Sequence, residues 1–401
     1  MKDFNFKQWL VIIILALLTA LEPLSIDLYL PGFLLISEAF NANISAVQIS
    51  LSTFLAGFAI GQLLWGPLAD RFGRKKPILI SLFIFIVASI GCIYAQNIYQ
   101  LWVIRFIQAL GGCGGVVISR AVVTDYFEKD KTLKIYSLLA LIMGVAPIIA
   151  PTIGNTVLSF FAWKGLFVTL AVLGVILFLF TLFLLPETRV QAVGQEKQNV
   201  LKGYLEVLKV KKFVIYSIIG GLANGALMLY VSNGPFLLMD KGGLNSNMFS
   251  VIFGVNALGL MVSSYLPTYL QKIMPTSRLV KCALSFMFIM SIVLVCCMYL
   301  DVEIYVLLIP LFFYVFPIGI LFSTSTELAI TPFPENSGTA SALFGSIQLG
   351  ISFICTALFG LINNGTVLAV GIGFFLCSLV GVVTIFGIPK KQNEALKEYT
   401  R

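Results

Sequence analysis

Twelve stretches of about 20 predominantly apolar residues limit what this chain can fold into more than any other feature. They cover approximately residues 9–30, 46–66, 77–95, 101–126, 134–158, 164–185, 213–238, 248–268, 279–299, 302–327, 337–361 and 366–388. An α-helix of this length crosses roughly 30 Å of hydrocarbon, and it satisfies its own backbone hydrogen bonds there. The chain is 59% hydrophobic and 11% charged, whereas a soluble domain is about 25% charged. The sequence therefore predicts an all-α membrane protein with twelve transmembrane helices.

A polar stretch between the sixth and seventh spans divides the chain into two similar parts. We expect an N-terminal six-helix half over residues 1–188, a cytoplasmic linker over 189–212 and a C-terminal six-helix half over 213–401. Two repeats of this kind place a substrate site at their interface near the bilayer midplane. The layout therefore predicts two six-helix repeats around a central cavity.

The distribution of basic residues decides what the net charge of +8 means. With the N-terminus inside, 22 of the 26 lysines and arginines fall in cytoplasmic segments. This asymmetry is the positive-inside rule, so the basic residues set orientation and contact lipid headgroups, and nucleic acid is not needed to explain them. We expect a multi-pass membrane protein with both termini in the cytoplasm.

The residue types present argue against an enzyme. The chain has no histidine, its seven cysteines all fall inside spans, and no metal-ligand spacing or phosphate-binding glycine loop occurs. We expect no metal and no cofactor, and read the cysteines as small core residues. A passive channel remains an alternative to a transporter, and accumulation of substrate against its gradient would exclude it.

The first span carries two carboxylates in the segment LEPLSIDLYLPGF, which are Glu22 and Asp27. An ionised carboxylate in hydrocarbon costs several kcal/mol. Counted from the predicted span ends, Asp27 and Arg105 of the fourth span both lie about 4–6 Å below the outer boundary. The matching depth predicts that the two face each other, either as a proton-coupling pair or as a static ion pair that fixes helix packing.

The chain has no histidine, so the one side chain with an ordinary pKa near neutrality is absent, and proton coupling then has to use carboxylates whose pKa the surroundings shift. Burial raises a carboxyl pKa and a nearby arginine lowers it, so a conformational change can switch Asp27 between proton binding and release. Glu22 is the rival carrier. It lies about 140° around the helix from Asp27, unless Pro23 distorts the helix.

Several motifs resemble the major facilitator superfamily. GPLADRFGRKK (66–76) resembles its loop signature, and LWVIRFIQALGGCGG (101–115) and GVAPIIAPTIG (144–154) follow in order. IDLYLPGF (26–33), SRAVVTD (119–125) and ITPFPENSGTASALFG (330–345) look like the Bcr/CflA branch of proton-coupled drug exporters. One departure is Ala146-Pro147, which stands where many antiporters have Gly-Pro.

The resemblance implies a monomeric proton antiporter of the bacterial inner membrane that exports amphipathic drugs or related small molecules. A dedicated exporter of one metabolite, such as a siderophore, is the alternative. In the resembling fold the first and fourth spans line the central cavity, and Asp70 meets the N-terminus of the eleventh span.

Two further groups of residues are candidates for binding and gating. The gating candidates lie near the cytoplasmic ends of the spans, where folding or topological roles are an alternative, and they are Asp70, Arg74, Arg120, Asp125, Arg278 and Glu327. Among them we expect Arg74 and Asp125 to pair. The substrate-binding candidates are aromatic, amide or thioether side chains that can face the centre: Tyr29, Phe54, Met143, Tyr230, Asn233, Asn256 and Tyr314. Asn233 is the leading polar candidate because Gly234-Pro235 loosens the helix beside it.

Overall fold

The computed structural model describes residues 4–189, 200–333, 337–363 and 365–387, and these residues form helices and connecting turns without a strand. The α-helices are α1 Phe6–Asp27, α2 Phe33–Ala39, α3 Ile44–Phe72, α4 Lys75–Ile93, α5 Ile98–Tyr126, α6 Lys129–Phe160, α7 Lys164–Leu184, α8 Val200–Leu208, α9 Lys211–Gly234, α10 Ser246–Leu270, α11 Thr276–Tyr299, α12 Ile304–Ile330, α13 Ser337–Ile362 and α14 Val367–Phe386. Within the described ranges, twelve helical segments are long and apolar enough to cross a membrane. The predicted all-α fold with twelve spans is confirmed.

The described chain divides into two compact units. Unit 1 comprises residues 1–198 and 244–257, and unit 2 comprises residues 199–243 and 258–401. The first turns of α10 thus group with unit 1, although α10 follows α9 in the chain. The division at residues 188 and 212, and the cavity between the halves, stay predictions.

The same helix pairs pack together in both units. In unit 1, α1 contacts α5, α6 and α7, and α4 contacts α5 and α7. In unit 2, α9 contacts α12, α13 and α14, and α11 contacts α12 and α14. Because α9 follows α1 by six spans, this correspondence is the structural form of a six-helix repeat.

Capping side chains mark where two of the helices begin. α1 starts with a capping box, in which the Asn5 side chain accepts from the Gln8 N–H and the Gln8 side chain accepts from the Asn5 N–H. Asn97 caps α5 by accepting from the Gln100 N–H at 3.0 Å. These side chains satisfy donors that the first helical turn leaves unpaired.

Small residues let α5 pack closely in unit 1. A Cβ on Gly111 would lie 2.5 Å from the backbone nitrogen of Phe85 in α4, closer than real Cβ contacts come. The glycine-rich part of α5 therefore serves close helix packing, as its composition predicts.

The first span is broken near its carboxylates. α1 ends at Asp27, a short 3₁₀ turn covers Leu30–Gly32, and α2 continues from Phe33 to Ala39. The predicted end of this span at residue 30 is wrong, because the helical segment extends nine residues further. Pro31 suits the first turn of a helix, where its missing N–H costs nothing. The depth estimated for Asp27 from the earlier end does not hold.

A second change of helix geometry lies in unit 2. After Gly234 the α-helical pattern of α9 gives way to a π-helical segment, Pro235–Lys241. Pro235 has no N–H to donate to the preceding turn. The helix therefore changes its hydrogen bonding directly after Asn233, at the position predicted from Gly234-Pro235.

Candidate functional site

Arg105 lies at the centre of unit 1 in a cage of aromatic rings. Its side chain is fully buried. The guanidinium carbon is 4.4 Å from the ring centroid of Phe54, 4.7 Å from that of Tyr29 and 5.9 Å from that of Phe167. Ring faces attract cations, and more strongly where water is excluded. Three helices and the turn after α1 thereby hold a permanent cation inside the unit.

Polar contacts fix the same guanidinium. Arg105 Nη1 donates to Gln108 Oε1 at 2.6 Å, and Nη2 donates to the backbone carbonyl of Ser25 at 3.0 Å. Gln108 in turn donates to Ser89 Oγ at 2.7 Å. The Nε atom is buried without a hydrogen-bond partner. Because Ser25 lies in the last turn of α1, Arg105 also places a positive charge at a helix C-terminus, where the helix dipole favours it.

Asp27 and Arg105 do not form the predicted ion pair. Among the described residues, Asp27 takes part in no salt bridge, and Arg105 binds an amide, a carbonyl and three rings instead. The two residues do lie in the same layer, because Arg105 reaches Ser25, two positions from Asp27. Lying in the same layer does not fix the direction in which each side chain points. The static ion pair is therefore wrong.

The two carboxylates of α1 differ in their surroundings. Asp27 is 4% exposed, whereas Glu22 is partly exposed. Arg120 of α5 is within electrostatic range of Glu22. The structure therefore associates Glu22 with an arginine, whereas Asp27, at the end of α1, forms no ion pair with any residue that the structure describes.

Three charged residues at the junction of α3, α4 and α5 form what we call the Arg74 cluster: Asp70, Arg74 and Asp125. Arg74 Nη1 lies 2.8 Å from Asp70 Oδ1, and Arg74 Nε lies 2.7 Å from Asp125 Oδ2. The predicted pairing of Arg74 with Asp125 is confirmed. Burial lowers the pKa of the Arg74 guanidinium, but the hydrogen bonds to both carboxylates outweigh burial and raise that pKa above its usual value. Arg74 is therefore always charged.

Arg120 is not a member of the Arg74 cluster, although the sequence grouped it there. It makes no salt bridge within the described part of the chain. Its backbone carbonyl accepts from the Tyr136 hydroxyl at 2.9 Å. Arg120 lies five residues before Asp125 on α5, so the two side chains point in different directions around the helix.

The corresponding place in unit 2 holds what we call the Glu327 cluster: Gln271, Thr276 and Glu327. The Glu327 carboxylate accepts from Gln271 Nε2 at 2.5 Å and from Thr276 Oγ1 at 3.3 Å. Arg278 is exposed and is in no salt bridge among the described residues. The predicted equivalence holds for Glu327 and not for Arg278.

The substrate-binding candidates separate between the units. In unit 1, Tyr29 and Phe54 belong to the Arg105 cage, and the Tyr29 hydroxyl lies 2.8 Å from Ser50 Oγ. Met143 of α6 is partly buried and Asn256 of α10 is buried. Their roles in binding stay predictions.

In unit 2, Tyr230 and Asn233 are buried in α9. Asn233 Nδ2 donates to the Leu229 carbonyl at 2.9 Å. Tyr314 is fully buried, and its hydroxyl donates to the Phe374 carbonyl at 3.0 Å. Binding by these three residues also stays a prediction. No group of three or more histidine, cysteine or acidic side chains suited to a metal occurs in the part of the chain described.

Twelve membrane-length helices arranged as a six-helix repeat, with ionisable residues buried within the first repeat, define a multi-pass membrane transporter. The chain belongs to the Major Facilitator Superfamily, whose family model matches residues 15–356. It is a transporter and not an enzyme, and it carries small molecules.

Individual relatives agree with this assignment. The chain is 33% identical over 383 residues to the uncharacterized MFS-type transporter YdgK of Bacillus subtilis, covering 94% of this chain and 95% of the relative. It is 26% identical over 382 residues to a bicyclomycin resistance protein homolog of Haemophilus influenzae, covering 95% and 96%. The resemblance to the Bcr branch is thereby confirmed.

Solved structures share the fold. A crystal structure of a D-xylose-proton symporter matches with a TM-score of 0.80 at 14% identity, over 94% of this chain and 96% of that one. At this identity the match supports the fold alone.

Proposed function

We propose that this protein is a proton-coupled antiporter that exports amphipathic drugs or related small molecules across the bacterial inner membrane. The observation that carries the proposal is the placement of Asp27. This carboxyl is 4% exposed and lies at the end of α1, where the first span is broken. A buried acid in a transporter span is by default a functional group, and the similarity to a bicyclomycin resistance protein homolog favours drugs as cargo.

Asp27 is the proposed proton carrier, and Glu22 is the group that attracts cationic substrates. Within the described ranges Asp27 forms no ion pair, and excluding water from a buried carboxyl favours its protonated form. Glu22 is more exposed and has Arg120 within electrostatic range. Arg105 helps to fix the end of α1 that carries both acids, because it donates a hydrogen bond to the Ser25 carbonyl, two residues before Asp27.

The proposal also includes the orientation of the protein in the membrane and a gating role for the Arg74 cluster. Both termini lie in the cytoplasm, which the excess of basic residues on that side supports. The Arg74 cluster then lies at the cytoplasmic ends of α3, α4 and α5. It closes that side during part of the cycle, and substrate-lining residues such as Tyr29 and Asn233 lie deeper in the membrane.

Export of ethidium, a lipophilic cation, from reconstituted vesicles under an imposed pH gradient tests the proposal. Asp27→Asn should abolish gradient-driven export, because an amide mimics the protonated acid and never releases a proton. Glu22→Gln should change the range of cations exported more than the coupling. Full export by Asp27→Asn together with an inactive Glu22→Gln would assign the proton to Glu22, and export by both would place coupling elsewhere.

A further inference from the structure

The segment after the sixth span contacts the loop that carries Arg74. Pro186, Glu187, Thr188 and Arg189 follow α7, and the Glu187 side chain crosses to the start of α4. Glu187 Oε1 accepts from the Arg74 N–H at 2.7 Å, and Oε2 accepts from the Lys75 N–H at 3.1 Å. These two donors are among those that the first turn of a helix leaves unpaired.

The sequence of the loop provides no capping side chain of its own. Arg74 occupies the N-cap position of α4 without making a side-chain cap, since its guanidinium binds Asp70 and Asp125. Pro77, in the first turn, has no N–H to satisfy. A carboxylate from 113 residues further along the chain takes the place of the missing cap. A negative charge at this end of α4 is also favoured by the helix dipole.

Gly73 leaves the space that this carboxylate fills. Its φ of +86° lies in the left-handed region, which residues with a Cβ rarely adopt. A Cβ at this position would lie 2.6 Å from Glu187 Oε2. Glycine is therefore required here both for the backbone conformation and for the approach of Glu187.

Arg189 attaches the same segment to the end of α3. Its Nη1 donates to the Ala69 carbonyl at 3.2 Å and lies 3.9 Å from Asp70 Oδ1. Glu187 Oε1 also accepts from the N–H groups of Thr188 and Arg189, at 3.1 and 3.2 Å. The segment thus binds the loop on both sides of Gly73.

We propose that Glu187 is the positioning residue of the Arg74 cluster. It holds the backbone of Arg74, while Asp70 and Asp125 hold the side chain of the same residue. When the side-chain ion pairs separate during transport, Glu187 keeps the start of α4 in place, so that Arg74 returns to the same two carboxylates. The proposal rests on the gating role of the Arg74 cluster given above, and it adds a residue that the sequence motifs did not indicate.

Hydrogen–deuterium exchange of the purified full chain in phosphatidylglycerol nanodiscs tests the contact without substrate or a proton gradient. Glu187→Ala should speed exchange of the Arg74 and Lys75 amides about tenfold or more, since hydrogen bonds to charged groups are the stronger ones. Glu187→Gln keeps the size and one acceptor oxygen, so it should speed exchange less. Glu303→Gln is the matched control, because Glu303 stands at the N-cap of α12 without a side-chain cap.

Ethidium export by the same variants then separates positioning from general stability. Glu187→Ala should lower the maximal rate about threefold or more with an unchanged KM, and Glu187→Gln should restore part of it. Unchanged exchange at Arg74 and Lys75, or equal acceleration throughout unit 1, would overturn the proposal. Faster local exchange with a normal maximal rate would also overturn it. If the proposed antiport function is wrong, the wild type will show no gradient-driven export of ethidium. The exchange measurement needs neither substrate nor a gradient, so it still tests the Glu187 contact.

Discussion

The Arg74 cluster of unit 1 and the Glu327 cluster of unit 2 occupy corresponding places in the two repeats, but they are built from different chemical groups. In unit 1 a guanidinium lies between two carboxylates, at 2.8 and 2.7 Å. In unit 2 a carboxylate accepts from an amide and a hydroxyl, at 2.5 and 3.3 Å. Ion pairs near the surface weaken with salt, whereas neutral donors change little. The repeat preserves the helix ends, while the described contacts differ: ion pairs join the helices at the Arg74 cluster, and hydrogen bonds from neutral donors join them at the Glu327 cluster, with Lys212 within electrostatic range of Glu327.

The fourth span of each unit repeats the contrast inside the membrane. α5 buries the Arg105 cation among three rings, whereas α12 buries Tyr314, which stacks on Phe374 with ring centroids 4.8 Å apart. A tyrosine needs one partner for its hydroxyl, but a buried guanidinium needs several. The fourth span of unit 1 therefore buries a charged side chain among aromatic rings, whereas Tyr314 in the fourth span of unit 2 is neutral.

Removing the buried cation should have the largest effect. Arg105→Met keeps most of the volume, and replacing buried ions by apolar residues is often neutral or stabilising, so the protein should fold. Export of ethidium should nevertheless fall about 100-fold, because the end of α1 beside Asp27 loses its contact and small misplacements are costly. Tyr314→Phe in unit 2 should change export by about tenfold or less, since it removes one hydrogen bond worth about 0.5–1.5 kcal/mol. Similar losses of ethidium export in Arg105→Met and Tyr314→Phe would contradict the proposed difference between the two fourth spans.

Removing the guanidinium of the Arg74 cluster should have the next largest effect. Arg74→Ala breaks two ion pairs that are worth about 0.2–1 kcal/mol each when exposed, so export should fall about two- to thirtyfold. Substrate binding should remain, because the cluster lies away from Asp27. Lys272→Ala, a basic residue beside Gln271 in unit 2, is the control and should export normally.

Pairing within the Arg74 cluster can be measured by a double substitution. Asp125→Ala should weaken export in the same direction as Arg74→Ala, and the combined variant should lose less than the two losses added together. Full additivity would mean that the two residues act independently despite their 2.7 Å contact.

Introducing charge into unit 2 should have a smaller effect. Gln271→Arg places a guanidinium beside Glu327, where the amide now donates. We expect the free energy of unfolding to rise by about 0.2–1 kcal/mol, and we expect this gain to disappear in high salt because salt screens exposed ion pairs. Salt at about 1 M screens an exposed ion pair. A gain in the free energy of unfolding that persists at this salt concentration would therefore contradict the explanation.

The pH dependence of the Glu187 contact should be the smallest effect near neutrality. Burial raises the pKa of Glu187, but four backbone N–H donors outweigh burial and hold that pKa below its usual value of 4.5. Arg74, Lys75 and Arg189 face this carboxylate, with Asp70 and Asp125 behind them. Because the folded pKa is lowered, the stabilisation is present above 4.5 and is lost as pH falls through the folded value.

Protection of the Arg74 and Lys75 amides, corrected for intrinsic exchange, should therefore be constant between pH 7 and pH 5 and decrease only below about 4.5. A decrease between pH 7 and pH 5 would show that Glu187 titrates in the range where the proposed proton carrier acts.

The sequence predicts best what depends on local hydropathy and on which charged residues stand at the helix ends. The twelve spans follow from local hydropathy, and the Arg74–Asp125 pair follows from two charges at adjacent helix ends. The Asp27–Arg105 pair was wrong because depth does not determine which way a side chain points. Glu187 was missed because a carboxylate that caps a helix 113 residues earlier leaves no periodic signal. Gly73 before a helix start that lacks a capping residue was the one local sign of it.

The break in the first span has a mechanical consequence. Residues 6–39 contain two α-helical segments linked by Leu28, Tyr29 and a 3₁₀ turn, and Arg105 donates a hydrogen bond to the Ser25 carbonyl near the end of the first segment. The α-helical hydrogen-bond ladder is interrupted at this linkage, so a change of angle between α1 and α2 breaks fewer hydrogen bonds than bending a continuous α-helix would. Asp27 stands at the start of the linkage, so a change in its charge acts where the first span bends with the least loss of hydrogen bonds.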